Sequence, residues 1–249
     1  MKAISIIFFL MLLLPLTAKE FTVGVQNTSF YPLYDFPNPS HTKDLLDAFA
    51  KSKGYTFTYI ALPVKRTNFW YKENAIDFKY PDNKRWTNGR SYYPLLKFSL
   101  PTVELLAAAI VPVEKLGRKR EEIKQLGTIF GFHPTLWLDL IENGNTTLVE
   151  SPSTLNIVKQ AAHGYVDALN LEPAVVKHHL RLLNREGALV IDESLPHEVY
   201  SYHLSTIHYP EVLKEFDQFL LNNQVLLEKL KKKYHIDDIS VYKENEQGK

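Results

Sequence analysis

No cysteine occurs anywhere in the 249 residues. That excludes disulfides, thiol catalysis and cysteine-ligated metals, and it leaves no cysteine to carry a lipid anchor. An excess of one charge is also lacking: 29 Lys and Arg against 28 Asp and Glu leave a net charge of +1. Such a balance carries no footprint of a nucleic-acid partner. The basic residues are scattered, apart from the cluster at Lys229–Lys233, whose helical pattern reads as a solvated face. Catalytic and cofactor motifs are missing as well. There is no His-Glu-x-x-His pair, no Gly-x-Ser-x-Gly elbow, no phosphate loop and no dinucleotide fingerprint, so no cofactor and no metal is expected. Nine histidines do not change this. His178 and His179 are adjacent and diverge by about 100° on a helix, and His197 and His203 are too loosely spaced for a ligand motif.

Long apolar runs are absent beyond the first residues. Met1-Lys2 is a short positive start, Ile6 to Leu14 is unbroken apolar chain, Pro15 breaks it, and Leu16-Thr17-Ala18 offers a small-residue cut. This is the pattern of a secretory signal peptide over residues 1–18. The run falls short of the about 20 apolar residues of a membrane-spanning helix. The expected location is therefore the periplasm. The remaining chain of about 230 residues can bury a core large enough to hold without staples. Aromatic residues make up 12%, with 14 Tyr and 14 Phe, which suits either core or a small-molecule site.

Along the chain, strand and helix patterns alternate. Phe21–Val25 reads as a strand, 26–40 as a Pro-containing loop, Lys43–Lys53 as a helix stopped by Gly54, and Tyr55–Ala61 as a second strand. That order implies a parallel crossover. A short helix over Pro63–Glu73, a brief strand at Ala75–Phe78, an irregular stretch from Tyr80 to Pro94 and a long strand at Val103–Val113 follow. A second unit repeats the rhythm. Strands are expected at Leu126–Phe130, Thr147–Glu150, Tyr165–Leu171 and Ala188–Asp192. Helices are expected at Pro134–Ile141, from Ser151-Pro152 to His163, and at Pro173–Leu183. In the second of these helices, Ser151 reads as the cap and Pro152 as the first helical residue. A helix pair over Pro210–Tyr234 closes the chain. The fold expected is α/β, with two mixed-sheet lobes and a hinge between them. Residues 19–110 and 195–249 would form lobe I, and residues 111–194 lobe II.

Several segments in order carry a resemblance. They are Thr22-Val23-Gly24-Val25 with Tyr31-Pro32, then Leu45-Leu46-Asp47 through Lys53-Gly54-Tyr55, Ala75-Ile76-Asp77 and Phe98-Ser99-Leu100-Pro101. Gly164-Tyr165-Val166-Asp167-Ala168, Phe216-Asp217 and Lys232-Lys233-Tyr234 complete the set. In these the chain resembles the family 3 extracellular solute-binding proteins, which serve mostly polar amino-acid uptake. The resemblance implies the two-lobed periplasmic-binding-protein fold of type II and a small-molecule ligand. It also implies that Arg90, in Thr87-Asn88-Gly89-Arg90, clamps an α-carboxylate. Glu172, a few positions after Asp167-Ala168, would take the α-amino group, with Asn170 as a nearby option. The segment Tyr80–Trp86 is longer and more aromatic than is usual there.

The residues themselves support a set of ligand candidates. A guanidinium matches a carboxylate with two parallel hydrogen bonds, which puts Arg90 first, Arg66 next and Arg85 last; a surface arginine is the plainer alternative. Asp82, with Asn83, follows a short strand where open α/β sheets place ligand contacts; Pro81-Asp82-Asn83 is equally good turn chemistry. Tyr31, Tyr34, Tyr80 and Trp86 are candidate aromatic walls, or core. Phe132 follows Gly131 at a helix start, where backbone N–H groups hold anions. Thr135, Ser153 and Thr154 offer hydroxyls that also serve as caps. The function expected is binding of a small polar solute, an amino acid or related carboxylate foremost, by a monomer, through hinge closure, for a membrane transporter or sensor. The alternatives are a dehydratase-like enzyme on the same fold, with Glu172 and Asp82 as its acid–base pair, and a ligand-free sensory partner.

Overall fold

A computed structural model describes residues 18–73, 76–86, 93–240 and 242. The expected leader up to residue 17 and the Thr87–Arg90 segment lie outside the described residues. No helix among the described residues is long and apolar enough to cross a membrane.

The first unit is β1 (Lys19–Gln26), α1 (His41–Lys53), β2 (Tyr55–Leu62), α2 (Trp70–Glu73) and β3 (Phe78–Asp82). Helix α1 ends because Gly54 adopts φ +67°, a left-handed conformation open to glycine, and its N–H caps the carbonyls of Ala50 and Lys51. Strand β1 pairs in parallel with β2 on one side and β3 on the other. The α1 crossover between β1 and β2 makes this arrangement possible. Strand β3 begins later than expected and includes Tyr80-Pro81. Proline lacks the N–H that a ladder needs. Its place here is opposite a register shift between His203 and Ser205, where the partner strand is irregular.

Next come β4 (Lys97–Phe98), β5 (Val103–Pro112), β6 (Gln125–Ile129), α3 (Leu138–Glu142), β7 (Thr147–Ser151), α4 (Thr154–Ala162), β8 (Ala168–Leu171), α5 (Pro173–Leu182) and β9 (Leu189–Ile191). The chain closes with β10 (Glu198–Thr206), α6 (Pro210–Asn222) and α7 (Gln224–Lys233). The α4 start differs from expectation. Ser151 is still in β7, paired with Ile129, and the cap is Ser153, whose hydroxyl accepts the Asn156 N–H at 3.3 Å. Pro152 therefore precedes the helix.

Strand order is β2-β1-β3-β10-β5-β8-β6-β7, with β4 on β10 and β9 on β5. Strands β5 and β10 join the two lobes. Residues 103–107 of β5 run antiparallel to residues 198–202 of β10. Beyond that ladder β10 turns to β3 and β4, while β5 turns to β8 and β9. Two antiparallel strands are thus the covalent link between two sheets, the geometry of a hinge. In the first lobe, Phe21, Phe49, Phe78 and Phe216 pack as edge-on aromatic pairs under α1 and α6. In the second, Ile157, Val158 and Ala161 of α4 and Val175 and Leu180 of α5 cover the sheet. The fit is tight at Gly127 on β6. A methyl group there would sit 2.8 Å from Leu169 Cδ2 and 3.0 Å from Ile157. Gly127→Ala should cost about 1–3 kcal/mol by overpacking, read as a lower urea midpoint at unchanged slope.

Candidate functional site

A cleft of about 430 Å³ opens between the lobes. Its lining is set by topology. From the first lobe come the carboxyl ends of β1 (Gln26), β2 (Val64, Lys65) and β3 (Asn83, Arg85, Trp86). From the second come the ends of β6 (Gly131, Phe132, His133) and β8 (Asn170, Leu171, Glu172). The joining strands supply Ala107, Glu198, Tyr200 and Tyr202. Carboxyl ends of strands facing a crevice are where open α/β sheets hold ligands.

Of the residues singled out from sequence, Asn83, Arg85, Trp86, Phe132, Thr135, Asn170 and Glu172 line the cleft. Arg90 lies outside the described residues. Arg66 is exposed and stands off the lining. Tyr31 packs on His178 of α5, with ring centroids 4.4 Å apart, and on Tyr234. Tyr34, Tyr80 and Asp82 form a buried layer behind the cleft. The Tyr34 hydroxyl donates to Gln26, which does line the cleft. The Tyr80 hydroxyl accepts from Thr42 and pairs with Thr102, both at 2.9 Å. Burial raises the pKa of both phenols, which stay neutral. Asp82 is fully buried against Lys79 Nζ at 2.8 Å, and it accepts from the Ser205 hydroxyl at 2.7 Å and the Asn83 N–H at 2.9 Å. Asp82 does not line the cleft, so it is not assembled with Glu172 as an acid–base pair there.

Asp82 instead fixes its neighbours. Asn83 donates to the Ser201 carbonyl at 2.7 Å and accepts the Arg85 N–H at 2.8 Å. A turn so pinned aims Arg85 across the cleft, where its guanidinium donates to Glu198 and, at 3.1 Å, to Thr135. Other contacts span the same gap. Lys65 lies 3.3 Å from Glu150 and 3.6 Å from the centre of the Phe130 ring. Phe30 meets Phe132 edge-on at 5.2 Å, and the Thr154 hydroxyl donates to the Ser29 carbonyl at 3.0 Å.

Glu172 caps α5. Its carboxyl accepts the Ala174 N–H at 2.6 Å while being almost wholly buried. Burial pushes its pKa up to about 8, against the opposing pull of the Ala174 and Val175 N–H groups. A carboxyl in this state favours its neutral form near neutral pH, and a cation placed beside it would favour ionisation.

Sequence reasoning ranked Arg85 last and missed Glu198, Tyr200 and Tyr202, because no strand was read over 198–206. The signal was present: Tyr200, Tyr202 and Leu204 alternate with Ser201, His203 and Ser205, which is strand periodicity.

With this geometry, the solved structures of similar shape are informative. The chain folds like amino-acid-binding proteins. It is 18% identical to the GluR0 ligand-binding core from Nostoc punctiforme in complex with (L)-glutamate, with a TM-score of 0.69 over 86% of this chain and 98% of that one. A substrate-binding protein of an ABC uptake transporter from Streptococcus pneumoniae, with bound histidine, matches at 13% identity and a TM-score of 0.68, over 88% and 94% of the two chains. An arginine 3rd transport system periplasmic binding protein from Legionella pneumophila matches at 15% identity and a TM-score of 0.60, over 87% of this chain and 100% of that one. No protein-family model and no curated protein matches the sequence. At these identities the likeness is one of fold.

Proposed function

We propose that this protein binds a small solute, an amino acid or a related carboxylate, in the cleft and closes its two lobes around it. It would do so in the periplasm, after removal of residues 1–18, as a monomer that delivers the ligand state to a membrane transporter or sensor. Lobe I would comprise residues 19–110 and 195–249, and lobe II residues 111–194. The observation that carries this reading is that Arg85, from lobe I, and Glu172, from lobe II, line one cleft built from strand ends. A guanidinium and an ionisable carboxyl in one cleft are complementary to an α-amino acid's carboxylate and ammonium. Arg90 joins Arg85 as a candidate for the carboxylate. The fold neighbours, whose own ligands include glutamate and histidine, agree with this reading.

A thermal-shift screen of the purified protein against amino acids, small carboxylates, amines and oligopeptides tests it. A cognate ligand at a hundredfold excess over Kd adds about 2.7 kcal/mol of stability. The expected result is a rise with at least one amino acid, reduced in Arg85→Ala or Arg90→Ala. A screen in which only amines or oligopeptides raise the midpoint would overturn the assignment.

A further inference from the structure

We infer that the cleft is specific for a ligand whose side chain is uncharged and apolar or aromatic. This rests on the amino-acid reading above and concerns the side chain alone. The first argument is a charge inventory. Two cationic side chains among the described residues line the cleft, and both are engaged. Lys65 pairs with Glu150 and covers the Phe130 ring, and Arg85 binds Glu198 and Thr135. Of the two lining carboxyls, Glu198 is held by Arg85, and Glu172 is bound to its own helix N–H. His133 is exposed at the rim. Both Arg85 contacts use one guanidinium nitrogen, so its other N–H groups would meet the ligand's carboxylate while Glu198 stays paired, and Glu172 would meet the ammonium. Among the described residues no further charge in the lining is left unpaired to meet a charged side chain, and burying an unpaired charge is strongly unfavourable.

The second argument is what the lining offers instead. Phe30 and Phe132 approach edge-on from the two lobes at 5.2 Å. Trp86 meets Tyr202 at 5.9 Å, and Tyr200 meets Tyr202 at 5.7 Å. All five rings face the cleft. Aromatic rings set edge-to-face accept a further flat or branched apolar group by the same packing. The volume, about 430 Å³, lies within the usual range of small-molecule sites and leaves room for a side chain of that kind.

Titration calorimetry of the purified protein with phenylalanine, leucine and methionine, against arginine, lysine, glutamate and aspartate, decides the matter. The expected result is at least about 30-fold tighter binding of one neutral apolar amino acid than of any charged one, the scale set by leaving a buried charge unmet. Trp86→Ala and Phe132→Ala should each weaken that neutral ligand about tenfold, with the circular-dichroism spectrum unchanged. Tighter binding of arginine, lysine, glutamate or aspartate would overturn the specificity while leaving the amino-acid reading in place. Binding of no amino acid at millimolar concentration would overturn both.

Discussion

Replacing Lys79 with methionine should be the most damaging single change in the described chain. Its ammonium is 2.8 Å from Asp82, and both side chains are all but inaccessible to solvent. Removing one member of a buried ion pair leaves the other charge uncompensated, at a cost of about 3–5 kcal/mol. For a chain of this size that corresponds to a fall of roughly 6–20 °C in the melting temperature. The Ser205 hydroxyl and the Asn83 N–H remain on Asp82, but neutral donors do not replace a cation. The damage should reach the cleft as well, since Asp82 anchors Asn83 and Asn83 holds the Arg85 N–H. Urea unfolding of Lys79→Met measures the loss. The paired change Lys79→Met with Asp82→Leu should recover most of it, because an apolar pair of similar volume needs no counter-charge. A single variant losing under about 1 kcal/mol, the scale of a surface pair, would mean the pair is not buried as described.

The second large effect is on binding and its pH dependence. Glu172 has its pKa pushed up to about 8 by burial, well above the ordinary carboxylate value near 4.3. A raised acid stabilises the folded, ligand-free protein at low pH. That contribution is present below the unfolded value and is lost as pH rises through about 8. Binding runs in the opposite direction. A ligand ammonium needs the ionised carboxyl, so association releases a proton wherever Glu172 starts out neutral. Affinity should rise about tenfold per pH unit between roughly pH 5 and 8, then level off. Calorimetry in buffers of different ionisation enthalpy at pH 6.5 should report about one proton released per ligand bound. Glu172→Gln keeps an oxygen to cap α5, so the fold should persist. Affinity should drop by about 30-fold or more, and the pH profile should flatten. An affinity independent of pH in the unaltered protein would remove Glu172 from the ammonium site.

Much of the fold was legible in the sequence where a single physical signal acted alone. Helix α1 was bounded by apolar spacing and by Gly54, and β5 was marked by the apolar stretch Leu105–Val111. The signals failed where two requirements met in one residue. Pro81 reads as a strand breaker, yet it sits in β3 because β10 is irregular opposite it. Ser151 reads as a helix cap, yet it is spent in a strand, and the next serine does the capping.

In the site, Trp86, Phe132, Asn170 and Glu172 lie at or shortly beyond the carboxyl ends of strands, a placement legible in the sequence, and all line the cleft. Tyr80 and Asp82 were harder to place. Strand β3 is buried over its whole length, so alternation gives no sign of which side faces a ligand. Tyr200 and Tyr202 depended on β10, whose pairing with β3, β4 and β5 is entirely long-range.

The most direct test of cleft closure is the distance between the lobes. Because the chain has no cysteine, a spin label can be placed at Lys51→Cys on α1 and another at Glu142→Cys on α3 without any other site reacting. The contacts from Phe30 to Phe132 and from Arg85 to Thr135 span the cleft between the lobes. Double electron–electron resonance should show a broad distribution without ligand and a single, shorter distance at saturation with the cognate amino acid. An identical distribution in the two conditions, with binding confirmed by calorimetry on the same sample, would contradict closure about the ligand.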